Sequence, residues 1–167
     1  LQGKTDGRAS HGTEQAKGIN ASYRMARVVE LLEQYAASIG DKVARHPLCG
    51  AATLSVGLIY GGASVNVVPD GCTIEVDRRV IPGEKSEDAY ADIVSFLNSN
   101  LDFEITIDPP FLVGPTLSDD GNAWISDTLL GVIEKVAGPR QAIGVPFGTH
   151  ASRTASGGVP SVVFGPG

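Results

Sequence analysis

The chain has 167 residues, 42% hydrophobic and 19% charged, with a formal net charge of −6. This is the composition of an ordinary soluble globular protein, long enough for one or two domains. The acidic balance argues against a nucleic-acid partner, because phosphate binding needs a basic face, and no apolar run reaches the length that spans a bilayer.

Residues 1–9 (LQGKTDGRA) are expected as a short exposed strand and residues 10–18 (SHGTEQAKG) as a loop. A helix should follow from about Asn20 to Ile39. Asn20 is a fair N-cap, Met25, Val28, Val29, Leu32, Ala36 and Ile39 recur at helical spacing, and Gly40 is a natural stop. Residues 53–60 and 72–80 alternate with a two-residue period and predict two antiparallel strands. Between them lies a stiff loop, GGASVNVVPDG, whose Pro69 fixes φ while its glycines permit positive φ. Cys72 should lie opposite a residue near Ile59, away from Cys49. Two free thiols and a reducing, cytoplasmic compartment are the expectation.

A second helix is expected over about Ser86 to Asn98, capped by Ser86, with Ala89, Tyr90, Ile93, Val94 and Leu97 as its buried stripe. Phe103, Ile105 and Ile107 then alternate as a fourth strand. The order β-α-β-β-α-β is the split βαβ, or ferredoxin-like, arrangement: an antiparallel sheet with both helices on one face. After Asp108-Pro109-Pro110 the character changes. A third helix fits 119–137 with a stripe of Ile125, Leu129, Ile133 and Val136 and a stop at Gly138. A brief apolar piece at Ala142–Val145, a loop PFGTHASR and a buried strand VPSVVFGPG complete the chain. This last third reads as part of a separate α/β domain that the chain leaves unfinished. The missing initiator Met leads us to expect a piece of a longer protein.

Chemistry is sparse at the level of single residues. The three histidines, His11, His46 and His150, form no HxxxH, no HxD and no cluster with cysteine, so the chain by itself shows no complete metal site. Each candidate has an ordinary reading. His11 in SHGT is a solvated loop histidine, Asn66 a turn former, Arg79 an outward-facing strand charge, His46 a surface loop residue and His150 a structural hydrogen-bonding residue. The PFGT loop at 146–149 offers backbone N–H groups to an anion.

Taken together the segments say more. GRASHGTEQAKGINA, TLSVGLIYGGASVNVVPDGCTIEVDRRVIPGE and PFGTHAS followed by GVPSVVFGPG resemble, in that order, the M20 metallopeptidase family. That family includes acetylornithine deacetylase, succinyl-diaminopimelate desuccinylase, aminoacylase and the glutamate carboxypeptidases. The form DRR-x-x-PGE is most similar to the deacetylase and desuccinylase branch. The resemblance implies a ferredoxin-like lid, which also forms the homodimer, over residues 1–112. It implies an incomplete α/β segment of the catalytic domain over 113–167.

For the parent protein the resemblance implies a zinc-dependent amidohydrolase (two ions, with cobalt or manganese as alternatives) that cleaves the amide of an N-acyl amino acid or small peptide. His11 matches a lid histidine that reaches the partner subunit's active site and helps hold the oxyanion. Asn66 and Arg79 match substrate-contacting lid residues, the arginine commonly through a carboxylate. Gly148 and Thr149 match a pocket-lining loop of the catalytic domain. In that loop His150 stands where the family usually has Asp. The family's His-x-Asp, Glu-Glu pair and last metal-binding His are absent, so no catalytic metal and no hydrolysis are expected of this chain alone. The alternative is a non-catalytic ferredoxin-like dimerisation or small-molecule-binding module.

Overall fold

The computed structural model describes residues 1–145 and 147–165. Strands β1 (Gln2–Asp6), β3 (Thr53–Gly61), β5 (Gly71–Arg79) and β6 (Thr106–Asp108) form an antiparallel sheet in the order β3-β5-β1-β6. Helices α1 (Ala21–Lys42) and α2 (Ser86–Asn100) connect them. The β-α-β-β-α-β order read from periodicity is therefore the order of the major elements.

Helix α1 starts where Asn20 Oδ1 accepts a hydrogen bond from the Tyr23 N–H at 3.1 Å. Ala21, Met25, Val28, Leu32, Tyr35 and Ile39 form its buried stripe. They pack with Ile93 and Leu97 of α2 on the sheet residues Cys72, Ile74 and Val76, and Met25, Val28 and Ile93 are wholly buried. Strand β1 needs no large apolar side chain toward this core. Gly3 lies close to the Ile74 side chain, and Thr5, wholly buried, donates its hydroxyl to the Ala21 carbonyl at 2.9 Å. Both cysteines are free; Cys72 is buried, which pushes its thiol pKa up, and Cys49 is exposed.

Several local expectations are corrected. Strand β1 is not exposed throughout, since Gly3 and Thr5 are buried and it lies inside the sheet between β5 and β6. Helix α1 runs through Gly40 to Lys42, because a glycine without positive φ terminates nothing by itself. Tyr35, rather than Ala36, belongs to the stripe: its hydroxyl donates to Asp92 at 2.8 Å, which removes the cost of burying it. Burial pushes the Tyr35 phenol up, and a hydrogen bond from Lys42 holds Asp92 below the usual carboxylate range. Ser86 is the first helical residue of α2. Lys85 occupies the cap and makes no side-chain hydrogen bond there. Strand β3 carries an irregularity between Val56 and Leu58 and extends one residue further than expected, to Gly61, which stands opposite Cys72, near Ile59 as expected. Strand β6 is only Thr106–Asp108; Phe103 and Ile105 pack on the core before it begins.

The expected loop at residues 10–18 is ordered. β2 (Ser10–His11) pairs with β4 (Val67–Val68), which lies inside the expected loop after β3, and a 3-10 helix (Gly12–Lys17) follows. Gly7 makes this crossing possible: a Cβ there would collide with the Ile19 and Pro69 carbonyls.

Beyond Asp108 the expectations fail more broadly. Helix α3 (Ala123–Ala137) begins after the buried Asn122, buries none of its own residues, and leaves Val136 85% exposed. It does stop at Gly138, with φ +76°. PFGTHASR is not a loop throughout, because α4 spans His150–Ser156; Pro146 lies outside the described residues. Neither Ala142–Val145 nor the described part of VPSVVFGPG forms a strand; Pro166 and Gly167 lie outside the description. A strand needs a neighbour for its N–H and C=O groups, and among the described residues these segments have none. Phe164 accordingly stands 71% exposed. Among the described residues no helix is long and apolar enough to cross a membrane.

Candidate active site

The β2–β4 ribbon joins two stretches that are far apart in sequence, one holding His11 and the other following Asn66. His11 pairs with Val67, and the Gly12 N–H donates to the Asn66 carbonyl at 2.8 Å. His11 is exposed and caps the 3-10 helix: its Nδ1 accepts from the Thr13 N–H at 3.4 Å and lies 2.9 Å from Thr13 Oγ1. Thr13 thus occupies Nδ1, which leaves Nε2 as the ring nitrogen without a partner among the described residues. Asn66 is also exposed, and its Oδ1 accepts from the Ser64 hydroxyl at 2.6 Å. Its Nδ2 is left as the donor. The ribbon thus sets two exposed polar side chains, the His11 ring and the Asn66 amide, at one end of the domain. Ser64 and Thr13, which orient them, are missed by sequence reading, although each lies within two positions of the side chain it holds.

Arg79 is elsewhere. It ends β5, opposite Thr53, and its Nε donates to Asp77 Oδ2 at 2.6 Å with both side chains exposed. β5 has 9 residues, so at about 3.3 Å per residue Arg79 lies about 26 Å from the Gly71 end beside the ribbon. The structure brings His11 and Asn66 together and keeps Arg79 apart from both. Gln2 and Asp108 pair at the Arg79 end, since Gln2 faces Glu75 and Asp6 faces Gly71.

The neighbouring Arg78 points to the other face. Its guanidinium pairs with Glu84, both side chains are at most 10% exposed, and its Nε has no partner. His46 is less of a surface residue than expected: its ring is 14% exposed, Nδ1 accepts from the Leu48 and Cys49 N–H groups at 3.2 Å each, and Nε2 lies 3.5 Å from Asp119.

Thr149 caps α4, its Oγ1 accepting from the Ala151 N–H at 3.2 Å, and Gly148 precedes it with open space around its Cα. Thr149 Oγ1 is thus engaged within its own helix and not with His11, Asn66 or Arg79. The expected structural role of the His150 side chain is not seen: among the described residues its carbonyl, not its ring, accepts a bond, from Thr154 at 3.0 Å. Among the described residues no group of three or more His, Cys, Asp or Glu side chains is placed to hold a metal ion. The described residues by themselves therefore offer no metal site.

Two helices on one face of a four-stranded antiparallel sheet, with a donor-bearing ribbon at one end, define a ferredoxin-like lid-type unit. Residues 3–103 match the family model described as the peptidase dimerisation domain of M20 enzymes. That is more than half of the chain, and the chain belongs to the M20 family. It is 29% identical over 169 residues to acetylornithine deacetylase of Myxococcus xanthus, covering 96% of this chain and 42% of that protein. The fold is that of the aminopeptidase PepT of Bacillus cereus (TM-score 0.65, 19% identity, 95% of this chain and 40% of the other). It is also that of an amidase of the hydantoinase/carbamoylase family from Burkholderia phymatum (TM-score 0.67, 15% identity, 95% and 38%). The chain thus spans about two fifths of the length of the relatives it matches, and those relatives are named as hydrolases.

Proposed function

We propose that the chain is the lid, residues 1–112, and part of the catalytic domain, residues 113–167, of a zinc-dependent amidohydrolase. The parent would hydrolyse the amide of an N-acyl amino acid or small peptide in the cytoplasm. The observation that carries the reading is the ribbon, which sets two N–H-bearing side chains, the His11 ring and the Asn66 amide, at one end of a domain of this family. Donors so fixed suit the oxyanion that forms when an amide carbonyl is attacked. The domain division is supported by the core, whose members all precede residue 108, and by α3, which buries none of its residues. The metal, zinc or alternatively cobalt or manganese, would be held by residues outside this chain.

Arg79 enters through geometry. No small substrate bridges about 26 Å, so His11 and Asn66 of one copy would serve a pocket in which Arg79 of another copy takes part. A homodimer satisfies this. Edge strand β3, with Leu58, Ile59 and Tyr60 each about half exposed, is a surface on which two sheets can pair. Gly148 and Thr149 would line the same pocket from the catalytic side.

The test uses the full-length parent and a panel of N-acyl amino acids and short peptides. Hydrolysis should be lost on chelation and return with zinc, cobalt or manganese, and the protein should size as a dimer. A parent that hydrolyses none of the panel, and has no His-x-Asp or Glu-Glu before Leu1, is instead a ferredoxin-like binding module.

A further inference from the structure

We propose that Asp77 is a positioning residue that fixes which edge of the Arg79 guanidinium is offered to a substrate carboxylate. The proposal rests on the reading of Arg79 as a carboxylate contact and adds the group that aims it. A guanidinium can grip a carboxylate side-on, through Nε and one Nη, or end-on, through both Nη atoms. Asp77 lies two residues before Arg79 on β5, so both project from the same face of the sheet. Its Oδ2 takes the Nε–H at 2.6 Å, and this competes with the side-on grip. The two terminal Nη groups remain for the ligand.

The backbone beneath is braced from the opposite face. Arg78 turns inward to Glu84, and the second Glu84 oxygen accepts from the Ile81 N–H at 3.4 Å. Glu84 N–H in turn donates to the Ile81 carbonyl at 3.0 Å. Glu84 thereby closes the turn that follows Arg79 through both its side chain and its backbone. The doublet Arg78-Arg79 divides the work: one guanidinium is committed to the fold, the other is free at its tip and held at its root.

Asp77 has two opposing effects on a carboxylate ligand. Its hydrogen bond orders Arg79, which favours binding. Its negative charge repels the ligand, which disfavours binding, though exposure and salt weaken that repulsion. Two substitutions separate them. Asp77→Asn keeps a neutral acceptor for Nε and removes the charge. Asp77→Ala removes both. The ordering contribution is the difference between these two variants and not the difference of either from the parent.

In the full-length parent, KM for a substrate with a free carboxylate should be about fivefold higher in Asp77→Ala than in Asp77→Asn. The kcat values of the two should agree, and so should KM for the carboxamide analogue of the same substrate. Equal KM values for the carboxylate in both variants would overturn the proposal, as would the same rise for the carboxamide. Arg79→Ala is run alongside. If it abolishes the preference for carboxylate over carboxamide while the Asp77 pair does not differ, the role of Asp77 fails and that of Arg79 stands. If Arg79→Ala leaves the preference intact, the underlying reading of Arg79 fails.

Discussion

His11→Ala in the full-length parent should lower kcat by about 10²–10³, with metal content unchanged. The size is that of removing one preorganised donor to an oxyanion, about 2.7–4 kcal/mol of barrier. The direction follows from the ring's surroundings. Thr13 engages Nδ1 through both its backbone and its hydroxyl, so the ring is held before any substrate arrives. The ring is exposed and supports no core contact, so its loss should leave folding intact. Steady-state kinetics and metal analysis on the same preparations check this. A variant with unaltered kcat would remove the oxyanion role. A variant that also loses metal would assign the histidine a different one. Thr13→Val should fall between the parent and His11→Ala, because it loosens the ring without deleting the donor.

Glu84→Ala should destabilise the fold by about 3–5 kcal/mol, the cost of stranding a buried charge after its partner is removed. Arg78 is 7% exposed at its side chain and Glu84 10%. Arg78 Nε already lacks a partner, the guanidinium also meets the neutral Arg79 carbonyl, at 2.5 Å from Nη1, and the Tyr35 hydroxyl, and Asp92 acts on it only through space. Removing Glu84 therefore leaves the charge without a counter-charge in hydrogen-bond contact. Against a typical total of about 5–15 kcal/mol the loss is large, and urea unfolding should show an early transition. Replacing both residues, Arg78→Met with Glu84→Leu, should recover much of it, since a buried pair exchanged for apolar groups of similar volume is often neutral. A Glu84→Ala stability within about 1 kcal/mol of the parent, on the scale expected of exposed pairs, would mean that water reaches the pair in solution.

The parts that sequence reading captured have strong, long-wavelength patterns. The stripe of α1 repeats over 22 residues, and Cys72, Ile74 and Val76 alternate cleanly on β5. The parts it missed are set by partners distant in sequence. β2 and β4 are two residues each, too short for any period; they are strands only because they meet. Strand-like residues such as Val162 and Val163 form no strand because, among the described residues, nothing pairs with them. His11, Asn66 and Arg79 are candidates only through the M20 resemblance, and the wide gap between Arg79 and the other two required the register of β5. Glu84 was visible only as part of PGE, and its burial depends on Arg78 turning inward, which periodicity cannot distinguish from Arg79 turning out.

Gln2 and Asp108 are direct neighbours across β1 and β6, so their Cα atoms are about 5 Å apart. The residues between them begin and end at nearly one point. A host polypeptide can therefore accept the whole unit between two adjacent positions without moving its own ends. A polypeptide joined at both ends would meet the unit through two segments lying side by side, which would favour bending about one axis over twist.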